Sequence, residues 1–220
     1  MDYFISDLHF GYEGVVGMEA CKKGERRGLY YDTVEEMDKD MIDRINGVVG
    51  ADDKLFILGD VACYGKAHHA VACLKQLNCK KFYLIKGNHD SEPLEHKSFR
   101  YCFREIYDTL LYRNGDKRIF LSHYPICEWD GYNKGIWHFY GHVHDNNTIG
   151  SVFADMIPTA VNVSIDRLGR PMTADELISK RQESYILPKE SRIKNIILKK
   201  PVEIEGRRTL SLAGFKNIGE

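Results

Sequence analysis

Five short segments of the sequence carry the side chains that most often bind divalent metal ions. Each follows a run of apolar residues, and together they supply carboxylate, amide and imidazole groups. They are Asp7-Leu8-His9, Gly59-Asp60, Gly87-Asn88-His89-Asp90, Ser122-His123-Tyr124-Pro125 and Gly141-His142-Val143-His144. Mixed nitrogen and oxygen donors suit Mn, Fe, Zn or Co better than Mg or Ca, and the thiolates of a structural zinc site are missing from these segments.

The first two segments could share an ion. Asp7 and His9 are two residues apart, so in an extended chain both side chains point the same way. They can therefore reach one ion beyond the end of a first strand, where ligands bind in open α/β sheets. Asp60 has two carboxylate oxygens and could bridge two cations, and Gly59 leaves room for a close approach.

The third segment is the most specific, because a simple turn does not need four such residues in a row. Asn88 offers an amide oxygen to a metal, and His89 offers a proton. Asp90 could orient the imidazole of His89 through its second nitrogen.

The fifth segment offers two further imidazoles. In an extended segment, His142 and His144 would face one side.

Apart from the third, each segment alone is better explained as a turn, a surface carboxylate or a packed histidine. Together they favour a metal site, since all five follow predicted strands and can gather at one sheet edge. Two Asp, one Asn and four His as ligands, with one further His, fit two ions bridged by one Asp.

Strands and helices alternate in the first half of the chain, which predicts an α/β domain with parallel strand pairing. The first helix has Asp32 or Thr33 as its N-cap, with acidic residues in its first turn. The predicted strands cover residues 3–6, 54–58 and 81–85, and the predicted helices cover 33–45 and 66–77.

The second half is richer in strands. Residues 105–112 and 118–122 read as a hairpin joined by Asn114-Gly115-Asp116, and residues 137–140 and 160–165 read as further strands. A helix is predicted over 173–182, where Thr173 and Glu176 form a capping box. This places a domain at 1–182. The Lys/Arg-rich remainder, 183–220, is expected to be an edge hairpin, a dimer arm or a small appendage.

Composition narrows the class of protein. The 220 residues are enough for one core, and 29% charged and 43% hydrophobic residues are ordinary for a soluble globular protein. A net charge of -1 gives no sign of duplex nucleic-acid binding, so a nuclease is disfavoured. No signal peptide or membrane span fits, and the six cysteines are expected to be free thiols in the cytoplasm.

The order Asp7-x-His9, Gly59-Asp60, Gly87-Asn88-His89-Asp90, His123 and Gly141-His142-x-His144 resembles the calcineurin-like metallophosphoesterase superfamily. The motifs cover about residues 7 to 144. The segment Ser6-Asp7-Leu8-His9-Phe10-Gly11 and the compact length are similar to small bacterial and phage phosphoesterases of that superfamily. The resemblance implies a four-layer α-β-β-α sandwich of two mixed sheets, with the metal site at the C-terminal ends of the strands.

The resemblance also implies a role for each residue. Asp7, His9 and His144 would hold the first ion. Asn88, His123 and His142 would hold the second, and Asp60 would bridge them. His89 would be the general acid, with Asp90 behind it, and a metal-bridging hydroxide would attack phosphorus. Two divalent transition-metal ions are expected, with Mn or Fe favoured.

The substrate is less well defined by the sequence. The long segment after His9 carries Arg26 and Arg27, with Tyr12 nearby, and could be a lid that grips phosphate and stacks a flat group. An ordinary solvated loop explains it equally well. Asn133, in the loop after His123, is a further candidate for contacting substrate.

Three functions are compatible with these residues. The first is a hydrolase of a small phosphodiester or nucleotide, and the second is a phosphomonoesterase or protein phosphatase with the same site. The third is a metal-free interaction scaffold, which the complete ligand set and His89 argue against. A small phosphorylated substrate is expected, with no membrane partner, and the C-terminal extension could support an oligomer.

Overall fold

A computed structural model of the chain describes residues 1–18, 26–146 and 148–184. The strands within these residues are β1 (Asp2–Ile5), β2 (Lys54–Ile57), β3 (Phe82–Ile85), β4 (Phe103–Tyr107), β5 (Thr109–Asn114), β6 (Lys117–Ser122), β7 (Trp137–Tyr140), β8 (Ala160–Asn162) and β9 (Met172–Thr173). The α-helices are α1 (Val34–Asn46), α2 (Ala67–Gln76), α3 (Lys97–Arg100), α4 (Ile149–Asp155), α5 (Ile165–Leu168) and α6 (Ala174–Ser184). Short 3-10 turns cover Glu13–Val15, Arg26–Leu29, Pro93–Glu95 and Tyr132–Lys134.

The strands form two mixed sheets. The first has the order β4-β3-β2-β1-β9, in which only β9 runs antiparallel to its neighbour. The second has the order β5-β6-β7-β8, in which β5 and β6 form an antiparallel hairpin and the remaining pairs are parallel. A bridge between Ser6 and Ser164 joins the chain just after β1 to the chain just after β8.

Three apolar clusters define the layers. One face of the first sheet, with Ile5 of β1, packs against α1 and α2. The opposite face packs against the second sheet, where Phe4 and Phe139 approach with ring centroids 5.3 Å apart. The outer face of the second sheet, including Tyr140, packs with Ala154 of α4. This order of helix, sheet, sheet and helix confirms the predicted α-β-β-α fold.

Helix ends follow the predicted capping chemistry. The Thr33 hydroxyl accepts a hydrogen bond from the backbone N–H of Glu36, so Thr33 is the N-cap of α1. At α6, Glu176 N–H donates to Thr173 Oγ1 while Thr173 N–H donates to the Glu176 carboxylate. This reciprocal pair is the predicted capping box.

Two predicted strands differ from the structure. Residues 105–112 do not form one strand, because the chain leaves the first sheet after β4 and enters the second at β5. Residues 160–165 also end early as a strand, and the chain turns into α5. The hairpin turn between β5 and β6 lies where it was predicted, with Asn114 paired to Lys117.

His138 is a fully buried histidine of β7. Its Nδ1 donates to the carbonyl of Phe120 at 3.1 Å, and its Nε2 accepts from the N–H of Ile126 at 3.4 Å. Burial lowers its pKa to about 4. The residue is therefore packed as a neutral imidazole.

The chain divides into the units Met1–Leu187 and Pro188–Glu220. The predicted extension at 183–220 lies, from residue 185 onward, outside the described residues, so its role and the boundary at 182 stay predictions. In the part of the chain that the structure describes, every helix is too short or too polar to span a bilayer.

Candidate metal centre

The C-terminal ends of three parallel strands bring the first candidate ligands together. Asp7 follows β1, Asp60 follows β2 and Asn88 follows β3. The backbone N–H of Asp7 donates to the carbonyl of Gly59, and the backbone N–H of His9 donates to the carbonyl of Asp60. Because β1, β2 and β3 are adjacent and parallel, their polar ends meet at one edge.

A first group of donors consists of Asp7, His9 and His144, whose ligand atoms lie within 4.8 Å of one another. The two imidazole Nε2 atoms are 3.3 Å apart, and Nε2 of His144 is 4.0 Å from Oδ1 of Asp7. Donors that share an ion at about 2.1 Å lie roughly 3.0–3.4 Å apart, so this spacing fits one divalent ion with little adjustment.

A second group is built around Asn88. Its Oδ1 lies 3.0 Å from Nε2 of His123 and 3.0 Å from Nδ1 of His142. Asp60, His123 and His142 also have ligand atoms within 4.8 Å of one another. The structure therefore brings all seven predicted ligands to one place, in two neighbouring groups.

The carboxylate of Asp60 lies between these groups. Its Oδ2 is 3.7 Å from Nε2 of His9 and 3.4 Å from Nε2 of His123. Its Oδ1 accepts a hydrogen bond from the backbone N–H of His89 at 2.9 Å. A carboxylate in this position can contact both ions of a dinuclear centre.

Five candidate ligands have a left-handed backbone. Among the described residues, all the non-glycine residues with positive φ are candidate ligands: Asp7 (60°), His9 (49°), Asp60 (55°), His142 (69°) and His144 (49°). The expectation that Asp7 and His9, or His142 and His144, converge through an extended backbone is therefore wrong. A left-handed backbone is unfavourable for residues with a side chain and persists mainly where the surrounding structure and function require it.

Two glycines of the motifs allow the backbones to approach. A Cβ atom on Gly59 would overlap the imidazole of His123, and one on Gly87 would overlap the carboxylate of Asp60. Gly59 also has a φ of 89°, which a residue with a side chain rarely adopts. These positions need glycine because another residue's metal-binding side chain occupies the space.

Three imidazoles have their second nitrogen engaged by the protein. Nδ1 of His123 donates to the carbonyl of Leu58 at 2.8 Å, and Nδ1 of His144 donates to the carboxylate of Asp166 at 2.6 Å. Nδ1 of His9 lies 3.1 Å from the sulfur of Cys63. These contacts fix the rings so that each Nε2 faces the centre, as in many metal sites.

The protonation states favour metal binding at two positions. Burial lowers the pKa of His9 well below its ordinary value, and the positive charge of Arg27 lowers it further. Burial opposes ionisation of Asp60, but its hydrogen bond with His123 and that residue's charge bring its pKa down to about 2. A neutral imidazole and an ionised carboxylate are the forms that bind a cation.

His89 lies at the exposed edge of the centre. Its ring contacts that of His9, with centroids 5.3 Å apart. Its imidazole is therefore open to solvent beside the candidate metal-binding groups.

Asp90 has a different setting from the predicted one. Its carboxylate is buried and accepts the backbone N–H groups of Asp60, Val61 and Gly87 at 2.8–2.9 Å. Burial raises its pKa to about 6, although these hydrogen bonds oppose the shift. The contacts join the loops after β2 and β3, so we correct its role from orienting His89 to holding the ligand loops.

Arg27 also differs from its predicted role. Its side chain is buried and donates to the backbone carbonyls of Asp7 and Leu8. It also makes two hydrogen bonds to Asp166, at 2.8 and 2.9 Å, and Asp166 accepts from His144. Its guanidinium therefore makes its hydrogen bonds within the protein, and it is not free to bind substrate from a lid.

The structure describes the side chains of two of the three remaining residues that were predicted to contact substrate. Tyr12 is 36% exposed, and its ring centroid lies 6.1 Å from that of His9. Asn133 lies in the exposed turn Tyr132–Lys134, whose Tyr132 ring packs on Trp129. The backbone of Arg26 begins the turn Arg26–Leu29, and its side chain lies outside the described residues.

Sequence reasoning missed three residues that contact the candidate ligands. Asp166 and Cys63 touch imidazoles from behind, and Tyr124 packs on His142 with ring centroids 4.5 Å apart. Tyr124 begins the loop after His123 that was considered for substrate contacts, but Asn133 was the residue named there. Asp166 had no such signal, because it is 22 residues from His144 and lies in a separate helix.

Comparison with known proteins agrees with this geometry. A family model described as "Calcineurin-like phosphoesterase" matches residues 3–203, and the chain belongs to that family. The resemblance inferred from the motifs is thereby confirmed. Family membership and the groups of candidate metal-binding residues support a metal-dependent phosphoesterase.

Similar proteins occur in distant organisms. Uncharacterized protein MJ1445 of Methanocaldococcus jannaschii is 29% identical over 178 residues, covering 80% of this chain and 88% of that protein. Gene 66 protein of Mycobacterium phage L5 is 27% identical over 201 residues, covering 80% and 91%. The crystal structure of AQ665, a protein of unknown function from Aquifex aeolicus, is 25% identical with a TM-score of 0.60, covering 82% and 98%.

Proposed function

We propose that this chain is a dinuclear metal-dependent phosphoester hydrolase that acts on a small phosphodiester or nucleotide. One ion would be held by Asp7, His9 and His144, the second by Asn88, His123 and His142, and both by Asp60. The position of the Asp60 carboxylate, 3.7 Å from His9 and 3.4 Å from His123, is the observation that carries the proposal.

The donor set fits two divalent transition-metal ions, and we favour Mn or Fe. It combines imidazoles and carboxylates with an amide oxygen, and these are suitable donors for such ions. When bound, two such ions supply an activated water molecule near neutral pH and neutralise charge on the phosphoryl oxygens.

The protein contributes orientation and a proton. Asp166 holds the ring of His144, and Leu58 holds that of His123, so the donors are positioned before any ion arrives. His89, beside His9 and open to solvent, would protonate the leaving oxygen. Such a proton transfer contributes roughly 10²–10⁴-fold to the rate when the leaving group is poor.

Two exposed tyrosines support a substrate with a flat group attached to phosphate. Tyr12 lies near His9 of the first group, and Tyr124 packs on His142 of the second. The two side chains are 36% and 47% exposed, so their rings are accessible from solvent. Aromatic faces of this kind stack on nucleobases, which favours a nucleotide or diester over a simple monoester.

The test of this proposal compares metal-loaded protein on two substrates, an aryl phosphomonoester and the matching aryl phosphodiester, alongside elemental analysis. We expect at least two ions per chain and faster turnover of the diester. Preference for the monoester would support a phosphomonoesterase or protein phosphatase with the same site. Absence of both metal and turnover would instead favour an interaction scaffold.

His89→Ala tests the proton donor. We expect metal content to stay unchanged, a small loss with a nitrophenyl leaving group and a loss of roughly 10²–10⁴-fold with an alkyl leaving group. His68→Ala, at an exposed position of α2, is the matched control and should behave as the wild type. Full activity of His89→Ala on the alkyl ester would exclude His89 as the acid.

A further inference from the structure

A separate cluster of metal-binding side chains joins α1 to α2. Asp38 comes from α1, and His69 and Cys73 come from α2. One ligand atom from each lies within 4.8 Å of the others. None of these residues belongs to the candidate dinuclear centre.

The sequence places two of the donors on one face of a helix. His69 and Cys73 are four residues apart in α2, so their side chains point to the same side. Asp38 faces them from α1, with its Oδ2 at 3.7 Å from the sulfur of Cys73 and hydrogen bonded to Nε2 of His69. The carboxylate is therefore the common neighbour of the imidazole and the thiol.

His69 is held in place although it lies at the surface. A Cβ atom added to Gly11 would come within 2.7 Å of the imidazole Cδ2, so the ring rests directly against the backbone at Gly11. Its side chain is 41% exposed. The ring is thus fixed on one side and open to solvent on the other, which gives an ion a path of entry.

The other two donors are buried, and their charged forms lack full compensation. The Asp38 side chain is 6% exposed, and burial raises its pKa even though His69 and the N–H of Gly11 oppose the shift. Burial and the neighbouring Asp38 raise the pKa of the Cys73 thiol to about 12. A bound cation would stabilise both anions.

We propose that Asp38, His69 and Cys73 form a second, mononuclear site for a zinc-like divalent ion, with solvent as the fourth ligand. Oxygen, nitrogen and sulfur donors together match the preferences of Zn²⁺ for tetrahedral coordination. On binding, the Cys73 thiol loses its proton to solvent and the thiolate sulfur bonds to the ion, while neutral His69 donates its Nε2 lone pair.

The position suggests a structural role. The backbone N–H of Gly11 donates to both oxygens of Asp38, at 3.1 and 3.2 Å. Gly11 comes two residues after His9, so an ion here would tie α1 and α2 to the chain segment that carries part of the dinuclear centre. The inference does not depend on the chemistry proposed for that centre.

Cobalt substitution of the full-length protein gives a specific readout. A Co²⁺–thiolate bond produces a charge-transfer band in the near ultraviolet that carboxylate and imidazole ligands do not produce. We expect this band in the Co²⁺-loaded wild type and its loss in Cys73→Ser. Elemental analysis after zinc loading should show one ion fewer per chain in Cys73→Ser and in His69→Gln than in the wild type.

Cys63→Ser is the matched control, because Cys63 is a buried thiol beside His9 of the other centre. It should keep the band. His69→Gln changes a partly exposed side chain and keeps the test interpretable if Cys73→Ser fails to fold, which circular dichroism would reveal. A wild type without the band, a band retained in Cys73→Ser, or a band lost only in Cys63→Ser would each overturn the proposal.

Discussion

Replacing Asp166 by Asn would remove one negative charge from behind the candidate centre while leaving the shape of the side chain almost unchanged. Asp166 accepts hydrogen bonds from His144 and from two nitrogens of Arg27. An Asn side chain has a single oxygen, so it cannot accept all three. The substitution should therefore loosen the orientation of His144 and leave the buried guanidinium of Arg27 without its counter-ion.

These contacts allow the loss of metal affinity and the loss of folding stability to be estimated. Loss of a partner behind a metal-bound imidazole typically weakens metal affinity by about 10–100-fold, or roughly 1.4–2.7 kcal/mol. The Arg27 and Asp166 side chains are only 6% and 10% exposed. Leaving the guanidinium without its counter-ion should therefore lower the free energy of unfolding by about 3 kcal/mol or more.

Competition with a chromophoric chelator would measure the first effect, and urea denaturation of the metal-free protein would measure the second. Asp175→Asn is the matched control, because Asp175 pairs with Lys117 at 2.8 Å and its side chain is 75% exposed. We expect that change to have little effect on either quantity. If Asp166→Asn bound metal as tightly as the wild type, the positioning argument for His144 would be refuted.

Three further predictions concern the centre and the core. Asp60→Asn should lose bound metal as well as activity, because the carboxylate lies between both groups, and normal metal content by elemental analysis would remove the bridging role. Gly87→Ala should also weaken metal binding and lower the free energy of unfolding by about 1–3 kcal/mol, since the added Cβ would overlap Asp60; calorimetry and metal titration would check both. The pKa of His138 is about 4 when folded, against roughly 6.5 unfolded, so the unfolded chain binds more protons between these values. Stability relative to His138→Gln should accordingly fall by about 1.4 kcal/mol per pH unit as the pH drops through this range. Urea denaturation of the metal-free protein would measure this slope. As a control, the difference in stability between the wild type and Phe139→Leu should not depend on pH. A difference between the wild type and His138→Gln that does not change with pH would contradict the buried neutral state of His138.

Much of the fold was readable from local pattern. The first three strands, helices α1 and α2 and the turn between β5 and β6 all lie within a residue or two of their predicted bounds. Apolar runs, caps and turn residues act over a few positions, so a single sequence reveals them. The capping box at Thr173 is a case in which two side chains alone predicted a helix start.

The passage from one sheet to the other was not readable in the same way. Between Tyr107 and Thr109 the chain changes sheets without a glycine or proline. The apolar pattern continues through both strands, so it predicts one continuous strand. The break depends on packing against residues far away in the sequence, which local propensity does not contain.

The candidate ligands were predictable for a related reason. They directly follow strands, and the ends of neighbouring parallel strands must meet. The side chains that support them were not, because Arg27 and Asp166 are 139 residues apart and make contact only once both sheets have assembled. The lid role predicted for Arg27 is inconsistent with this placement, since basic residues in a long loop give no sign of being buried.

The left-handed backbone at five candidate ligands has a consequence for the protein in the cell. Each such residue costs roughly 1 kcal/mol or more, so together they remove an amount comparable with the whole net stability of about 5–15 kcal/mol found for many domains. Bound ions would offset this cost by favouring the folded state. If such ions bind, a cell that runs short of the metal should lose the protein itself to proteolysis, so that metal supply would set its abundance.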